Sequence, residues 1–409
     1  MLGHFSLLET KQSVKKINTQ KLISTVKANR VDEETIRVLR IAHASLTPAL
    51  RGRERGIARV FPQVEMEVVA PEHWRETDVD VEIEPDEFLA VRPSKTFLSK
   101  HIQLFAYDPR PIIEVLRQHK PHIIDMDHEP YSVPCAEIIT LRNLFAPQTP
   151  IVMQTAQNIL KKYPPPFSFL EKRALKQVSA AYMCSETVRE VLVTKGFNKP
   201  MQIAPFGVDL QLFQPKTDYE LSNKTFTIGY VGRLLPAKGL LDLADALTKI
   251  KSEKWRLLVV GDGPAREPMQ SKLAEHGLLE RCEFVGAVPY EKTPEYFRKL
   301  DVLVIPTQTT KTIREQFGRV IIEAMACRVP VIGSTCGAIP EVIGDAGLVF
   351  PERDSEILAQ KLRQIIRDDK LRNDLAYAGR RLVEEKYTWE RVAERIFDLY
   401  RQVLKRPNL

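Results

Sequence analysis

Short apolar, β-branched runs, each stopped by a glycine-bearing or polar turn and followed by a segment with helical spacing, recur along this 409-residue chain. T-I-R-V-L-R-I-A from Thr35, F-T-I-G-Y-V from Phe226, W-R-L-L-V-V from Trp255 and D-V-L-V-I-P-T from Asp301 are four of them. Continuous apolarity means burial on both faces, the condition of parallel strands covered by helices on either side. The pattern predicts an α/β fold of doubly wound sheets. A chain this long exceeds one ordinary core, so two domains are expected. The expected divisions are a basic tail over 1–34, a first domain over 35–208, a linker over 209–225, a second domain over 226–388 and a final helix over 389–409.

A stretch from Thr307 to Phe350 carries the first chemistry. Glu315 and Glu323 stand eight residues apart; on one helix they would be separated by about 12 Å of rise and roughly 80° around the axis, too far for one small site. Gly318 lies between them, so Glu315 is placed on a loop and Glu323 on the second turn of a helix opening near Gly318 or Arg319. Unpaired N–H groups and the aligned dipole make that helix start an anion site, while flanking carboxylates suit hydroxyls. A ligand joining phosphate to polyols fits both, and a nucleotide sugar is such a ligand.

Other function classes are narrowed by composition. No run of about 18 uncharged apolar residues suggests a membrane span, and the N-terminal residues lack the order of a signal peptide, so a cytoplasmic chain is expected. Five scattered cysteines, with no C-x-x-C, indicate neither disulfides nor a zinc site. A net charge of +7 spread over both halves gives no nucleic-acid domain. Local basic clusters occur in residues 1–30, at Arg51, Arg53, Arg55 and Arg59, and around Pro164-Pro165-Pro166. Peripheral contact with an anionic membrane could use them; otherwise they are solvated faces.

Asp125-Met126-Asp127 is set aside as a metal-gripping pair, on strand alternation and because the chain offers cations for a diphosphate elsewhere. The first strand-to-helix turn lacks G-x-G-x-x-G, which disfavours a nicotinamide enzyme. Ligands gather at the C-terminal ends of such strands, which puts His43, Gly52, Arg53 and Glu54 at the mouth of a first-domain site and His128 at the end of another strand.

The E-x7-E pair, with Phe317 and Gly318 between, resembles the donor signature of retaining glycosyltransferases of the family-4 type. G-R-L-L-P-A-K-G (Gly232 to Gly239), P-F-G-V-D-L-Q-L-F (Pro205 to Phe213) and His128-Glu129-Pro130 are similar to further family elements, in the right order. The resemblance implies a GT-B arrangement, two Rossmann-like domains facing a cleft, with the last helix bracing the first domain. It implies donor contacts at Gly232, Arg233, Lys238, Gly261, Gly263, Glu315, Phe317, Gly318 and Glu323. Glu323 would hold the ribose, and Glu315 and His128 would lie beside the transferred sugar. Arg233 and Lys238 would stabilise the leaving nucleoside diphosphate.

Gly52-Arg53-Glu54 partly matches the family's Gly-Gly-x-Glu, and with His43 it reads equally as acceptor-side loop or structural turn. The implied reaction is metal-independent transfer of a hexose, without a cofactor, from a nucleotide-diphosphate sugar to a glycan, lipid-linked or small-molecule acceptor, with retained configuration. Cell-surface polysaccharide or glycoconjugate synthesis would use it. A nucleotide-sugar epimerase or hydrolase and a catalytically silent scaffold subunit are the rivals.

Overall fold

Seven short runs align into the first sheet, the inner ones buried over most of their length and the two edge strands only in part. They are β1 (Ile36–Ala42), β2 (Val64–Pro71), β3 (Ala90–Ser94), β4 (Ile123–Asp127), β5 (Ile151–Thr155), β6 (Ala180–Met183) and β7 (Met201–Ile203). In the computed structural model, which describes residues 35–76, 79–215 and 225–405, they lie in the order β7-β6-β5-β4-β1-β2-β3, all parallel. The second sheet holds β8 (Phe226–Val231), β9 (Trp255–Val260), β10 (Cys282–Gly286), β11 (Val302–Ile305), β12 (Val331–Ser334) and β13 (Leu348–Phe350). Its order is β10-β9-β8-β11-β12-β13, again parallel throughout. These are the two doubly wound sheets expected.

Each order reverses at one place. The chain winds outward from β1 to β3 and returns to lay β4 beside β1; in the second lobe β11 returns beside β8. At such a switch point the flanking loops diverge and leave a crevice at the strands' C-terminal ends, where ligands bind. Four helices matter to the crevices: α1 (Gly52–Val60), α2 (Leu240–Lys249), α3 (Arg319–Ala326) and α4 (Trp389–Leu404). The last is capped by Thr388, whose side chain accepts from Arg391 N.

Helix α4 belongs to the first lobe although it follows the second. Its inner face joins Val38, Ile57, Val68 and Val152 in one apolar cluster through Val392, Ile396 and Tyr400. Phe397 stacks on Phe61 at 3.8 Å, and Trp389 lies so close to α1 that a Cβ on Gly52 would stand 2.2 Å from its ring. The chain crosses back beside the outgoing segment, where Val208 N donates to Tyr387 O at 2.8 Å.

Beneath α4 lies a buried ionic network. Arg40 donates to Glu54 (2.9 Å), Asp125 (2.6 Å), Gln154 (2.8 Å) and Tyr182 (2.9 Å), and Tyr400 of α4 donates to the other oxygen of Asp125. Burial would lower the Arg40 pKa, but Asp125 and its other neighbours hold it well above the usual value. Tyr400→Phe deletes a hydrogen bond to a buried charge, and a loss of about 1.5–3 kcal/mol is expected, read from the urea midpoint at constant m.

Several expectations change. Arg51 is fully buried, donating to Ser45 O, Leu46 O and Glu84 O; Arg53 is also buried, Arg55 pairs with Asp86 and Arg59 with Glu390. Arg51 and Arg53 therefore lie inside the lobe, and of the four only Arg59 stays largely exposed, paired with Glu390. Of the strand-like run I-Q-L-F-A-Y at 102–107 only Ala106–Tyr107 pairs as strand, leaving Ile102 and Leu104 exposed in the preceding turns. Asp368 separates the helix Ser355–Arg367 from the helix Asp369–Lys386 and caps the second. The tail over 1–34 and linker residues 216–224 fall outside the described residues. Among the described residues no helix is long and apolar enough to cross a membrane.

Candidate active site

The loop after β8 must turn sharply to start α2, and its glycines set the path. Gly232 is followed by Arg233, a short 3-10 turn at Pro236–Lys238, then Gly239 and α2. The G-D-G-P turn after β9 supports this loop from behind: Leu234 N donates to Asp262 O at 2.9 Å, and Ala265 N to Leu234 O at 2.8 Å. A Cβ on Gly261 would lie 2.0 Å from Gly232 O, so Gly261 and Gly263 act here as the backing of the cation-bearing turn.

Across the switch point, the loop after β11 presents Glu315. Lys238 Nζ meets its Oε2 at 2.6 Å, and Thr307 Oγ1 stands 3.5 Å from the same oxygen. The Glu315 backbone is held on several sides. Ala338 N donates to its carbonyl at 3.0 Å and Asn158 Nδ2, from the first lobe, at 2.9 Å. A Cβ on Gly337 would come within 2.1 Å of that carbonyl, so only glycine allows the approach.

Arg233 is exposed and, among the described residues, makes no ion pair. Tyr230 donates to its carbonyl at 2.8 Å. Burial first, then the Glu315 charge, pushes the Tyr230 phenol up while Arg233 pulls it down. Lys238 and Glu315 thus meet at the ends of β8 and β11, and Arg233 stands on the same short loop as Lys238.

Glu323 sits apart, on the second turn of α3 as expected, with Gly318 as N-cap at φ +81°. It is buried, 3.6 Å from Arg319 Nη2, which also donates to Tyr290 OH at 3.1 Å. Burial raises the Glu323 carboxyl above its ordinary value, opposed by Arg319 and a hydrogen bond from Tyr290. Phe317 is buried between Phe206 (5.6 Å) and Tyr387 (5.7 Å), in the apolar cluster that joins the lobes, and presents no surface to a ligand.

In the first lobe the β1–β4 register pairs Ala42 with Asp127, so His43 and His128 leave their strands side by side, ring centroids 5.4 Å apart. Trp74 and Phe105 pack around His43, at 5.2 and 6.1 Å. His128 is 4% exposed and its Nε2 lies 3.1 Å from Tyr107 OH. Burial, then His43 and Arg40, hold its pKa well below the usual value, so the ring is neutral.

Of the two readings of Gly52-Arg53-Glu54, acceptor-side loop or structural turn, the side chains of Arg53 and Glu54 follow the structural one: Glu54 accepts from Arg40 and Ser45, and Arg53 lies over Tyr182 and Phe206. Gly52 borders a cavity of about 380 Å³ between the lobes, shared with Pro48, Arg55, Leu210, Tyr290 and Trp389.

Asp125 and Asp127 need a correction. Two residues apart in β4, they share one face, as a period of two requires, so alternation gave no ground for separating them. Arg40 engages both, at 2.6 and 3.5 Å. Sequence reasoning also missed Asn158, Thr307, Tyr107 and Tyr290; only Arg319, four residues before Glu323 on one helix, had a readable signal.

Comparisons with known proteins agree with this fold. The model for Glycosyltransferase Family 4 matches residues 57–212, and that for Glycosyl transferases group 1 matches residues 215–382. The chain is 27% identical over 316 residues, 72% of this chain and 80% of the relative, to the capsular polysaccharide biosynthesis glycosyltransferase CapM of Staphylococcus aureus. It is 28% identical over 232 residues to a GDP-mannose-dependent monoacylated alpha-(1-6)-phosphatidylinositol monomannoside mannosyltransferase of Corynebacterium glutamicum, 53% of this chain and 60% of that protein.

Among solved structures, a glycosyltransferase from Rickettsia africae superposes with a TM-score of 0.71 at 17% identity, covering 92% of this chain and all of the other. HepE of Anabaena, solved with UDP, superposes at 0.67 and 17%, covering 90% of this chain and 100% of that one. With adjoining family models over both lobes, two doubly wound sheets and the acid and cation loops at their switch point, the chain belongs to the GT-B glycosyltransferases of the family-4, group-1 type.

Proposed function

We propose that this protein moves a hexose from a nucleoside-diphosphate sugar to an acceptor hydroxyl with retained configuration and without a metal, in polysaccharide or glycolipid synthesis. The observation that carries the reading is the 2.6 Å pair of Lys238 and Glu315 beside Arg233, whose guanidinium is exposed and makes no ion pair among the described residues. A bound diphosphate takes Arg233 and Lys238 as its counter-charges. Glu315, relieved of Lys238, then accepts from hydroxyls of the sugar.

As the bond from the anomeric carbon to the phosphate oxygen breaks, negative charge grows on the departing diphosphate, and the two cations lower that barrier. The acceptor oxygen bonds to the same face of the anomeric carbon, and its proton passes to the departing phosphate oxygen. No carboxylate pair is assigned to a double displacement. His128, neutral and in hydrogen-bond contact with Tyr107, orients the sugar side of the cleft.

Glu323 is the proposed ribose ligand, accepting from both hydroxyls. Glu323→Ala is expected to weaken donor binding about ten- to a hundredfold by calorimetry, the loss of one or two charge-assisted hydrogen bonds. His128→Ala is expected to slow transfer with donor binding retained; equal loss of donor affinity in both variants would contradict the division. Because the Glu323 pKa is raised, donor affinity should fall on acidification starting above the ordinary carboxylate range, as protonation removes an acceptor. Release of nucleoside diphosphate only with added acceptor separates a transferase from an epimerase or hydrolase, and donor binding without turnover would favour a scaffold.

A further inference from the structure

We propose that the first lobe docks on an anionic lipid bilayer through one contiguous face, formed by residues 97–104, residues 159–166 and the outer side of the helix Phe167–Gln177. Phe97, Leu98, Ile102, Leu104, Leu160 and Phe169 are all exposed there, Leu98 by 73% and Phe169 by 67%. Single exposed apolar side chains are ordinary; six on adjoining segments form a patch suited to an apolar medium. Leu98, moreover, takes a left-handed backbone conformation at φ +59°.

The segments adjoin through defined contacts. Val133 N donates to Gln103 O at 2.9 Å, and Tyr131 stacks on Tyr163 at 4.0 Å while bonding Gln103. Arg173 reaches Thr140 at 3.1 Å, seating Phe167–Gln177 on the helix Val133–Phe145. A hollow of about 330 Å³, lined by Val133, Ala136, Leu141 and Leu170 among others, opens between these two helices.

Charge identifies the occupant. Lys95, Lys100, Lys162, Lys172 and Lys176 are exposed on these segments, and among the described residues none makes an ion pair. Glu171, the one acid between 159 and 177, is already paired with Lys195. Residues 1–30 carry six Lys and Arg against Glu9, so that segment would be repelled. A bilayer with acidic headgroups answers both features, phosphates at the lysines and acyl chains at the apolar tips. Asn158, at the start of the same stretch, bonds the Glu315 carbonyl, so docking would seat the catalytic cleft next to the lipid surface and bring a lipid-linked acceptor within reach.

Co-sedimentation of the full chain with phosphatidylcholine vesicles, and with vesicles that also contain phosphatidylglycerol, tests this. Binding is expected only with the anionic vesicles and should weaken as salt rises. Joint Lys162→Ala and Lys172→Ala replacement should weaken it about twenty- to thirtyfold, near fivefold per cation. Leu98→Ser and Phe169→Ser should each cost about tenfold at unchanged melting temperature. Equal binding to neutral vesicles, or unaltered binding by the variants, would overturn the proposal. So would absence of vesicle binding together with a dimer dissolved by Leu98→Ser, which would assign the face to a second copy. The readout needs no turnover, so its failure leaves the transfer reading intact.

Discussion

Lys238→Ala is expected to lower kcat by about a hundred- to a thousandfold, the usual effect of removing one fixed group from a site of developing charge. The variant loses a counter-charge of the departing diphosphate and leaves Glu315 without its 2.6 Å partner. Initial-rate measurements at saturating donor and acceptor read the effect, and an unchanged kcat would remove Lys238 from the chemistry. Lys238→Arg should restore little, because a planar fork does not replace a compact ammonium at that distance. Arg233→Lys tests the converse, since one exposed guanidinium can bind two phosphate oxygens at once. Donor titration distinguishes the steps: an intact dissociation constant with a depressed kcat assigns the residue to the transition state.

Arg40→Met should destabilise the protein by about 3–5 kcal/mol, because removing one partner of a buried network strands the others. Asp125 and Glu54 are nearly without solvent, at 1% and 2% exposure, so neither can recover its lost bonds from water. Domains of this kind are stable by only about 5–15 kcal/mol, so unfolding in urea should move to a much lower midpoint.

Its pH dependence supplies a second check. Burial raises the Glu54 carboxyl, but Arg40 and Arg53 outweigh it and hold the folded pKa below the usual carboxylate value. A depressed carboxyl contributes stability above the unfolded pKa, and that contribution disappears as pH falls through the folded value. In Arg40→Met the depression is lost, so the gap between variant and parent should be widest near neutrality and narrow toward acid. A gap independent of pH would mean that Arg40 acts only as a packing group.

The sheets were legible because β1, β8, β9 and β11 are mostly apolar runs bounded by turn residues, a pattern that buried parallel strands accommodate. Gly318 between Glu315 and Glu323 correctly divided loop from helix, since a left-handed residue readily precedes a helix start. Pairings between distant segments had no sequence signal. Tyr400 reaches Asp125 across 275 positions, and neither position is unusual in its own neighbourhood. Arg51, Arg53, Arg55 and Arg59 read as surface charge because composition counts cations without their partners; the carbonyls of Ser45, Leu46 and Glu84 that absorb Arg51 have no signature. Residues 102–107 alternate like a strand, yet Ile102 and Leu104 remain outside the sheets.

Helix α4 also sets the order in which the molecule can be completed during synthesis. The face of the first sheet carrying Val38, Val68 and Val152 is closed by Val392, Ile396 and Tyr400, which the ribosome adds only after the whole second lobe. The lobe translated first is therefore finished last, and until then its Asp125 lacks the Tyr400 hydroxyl.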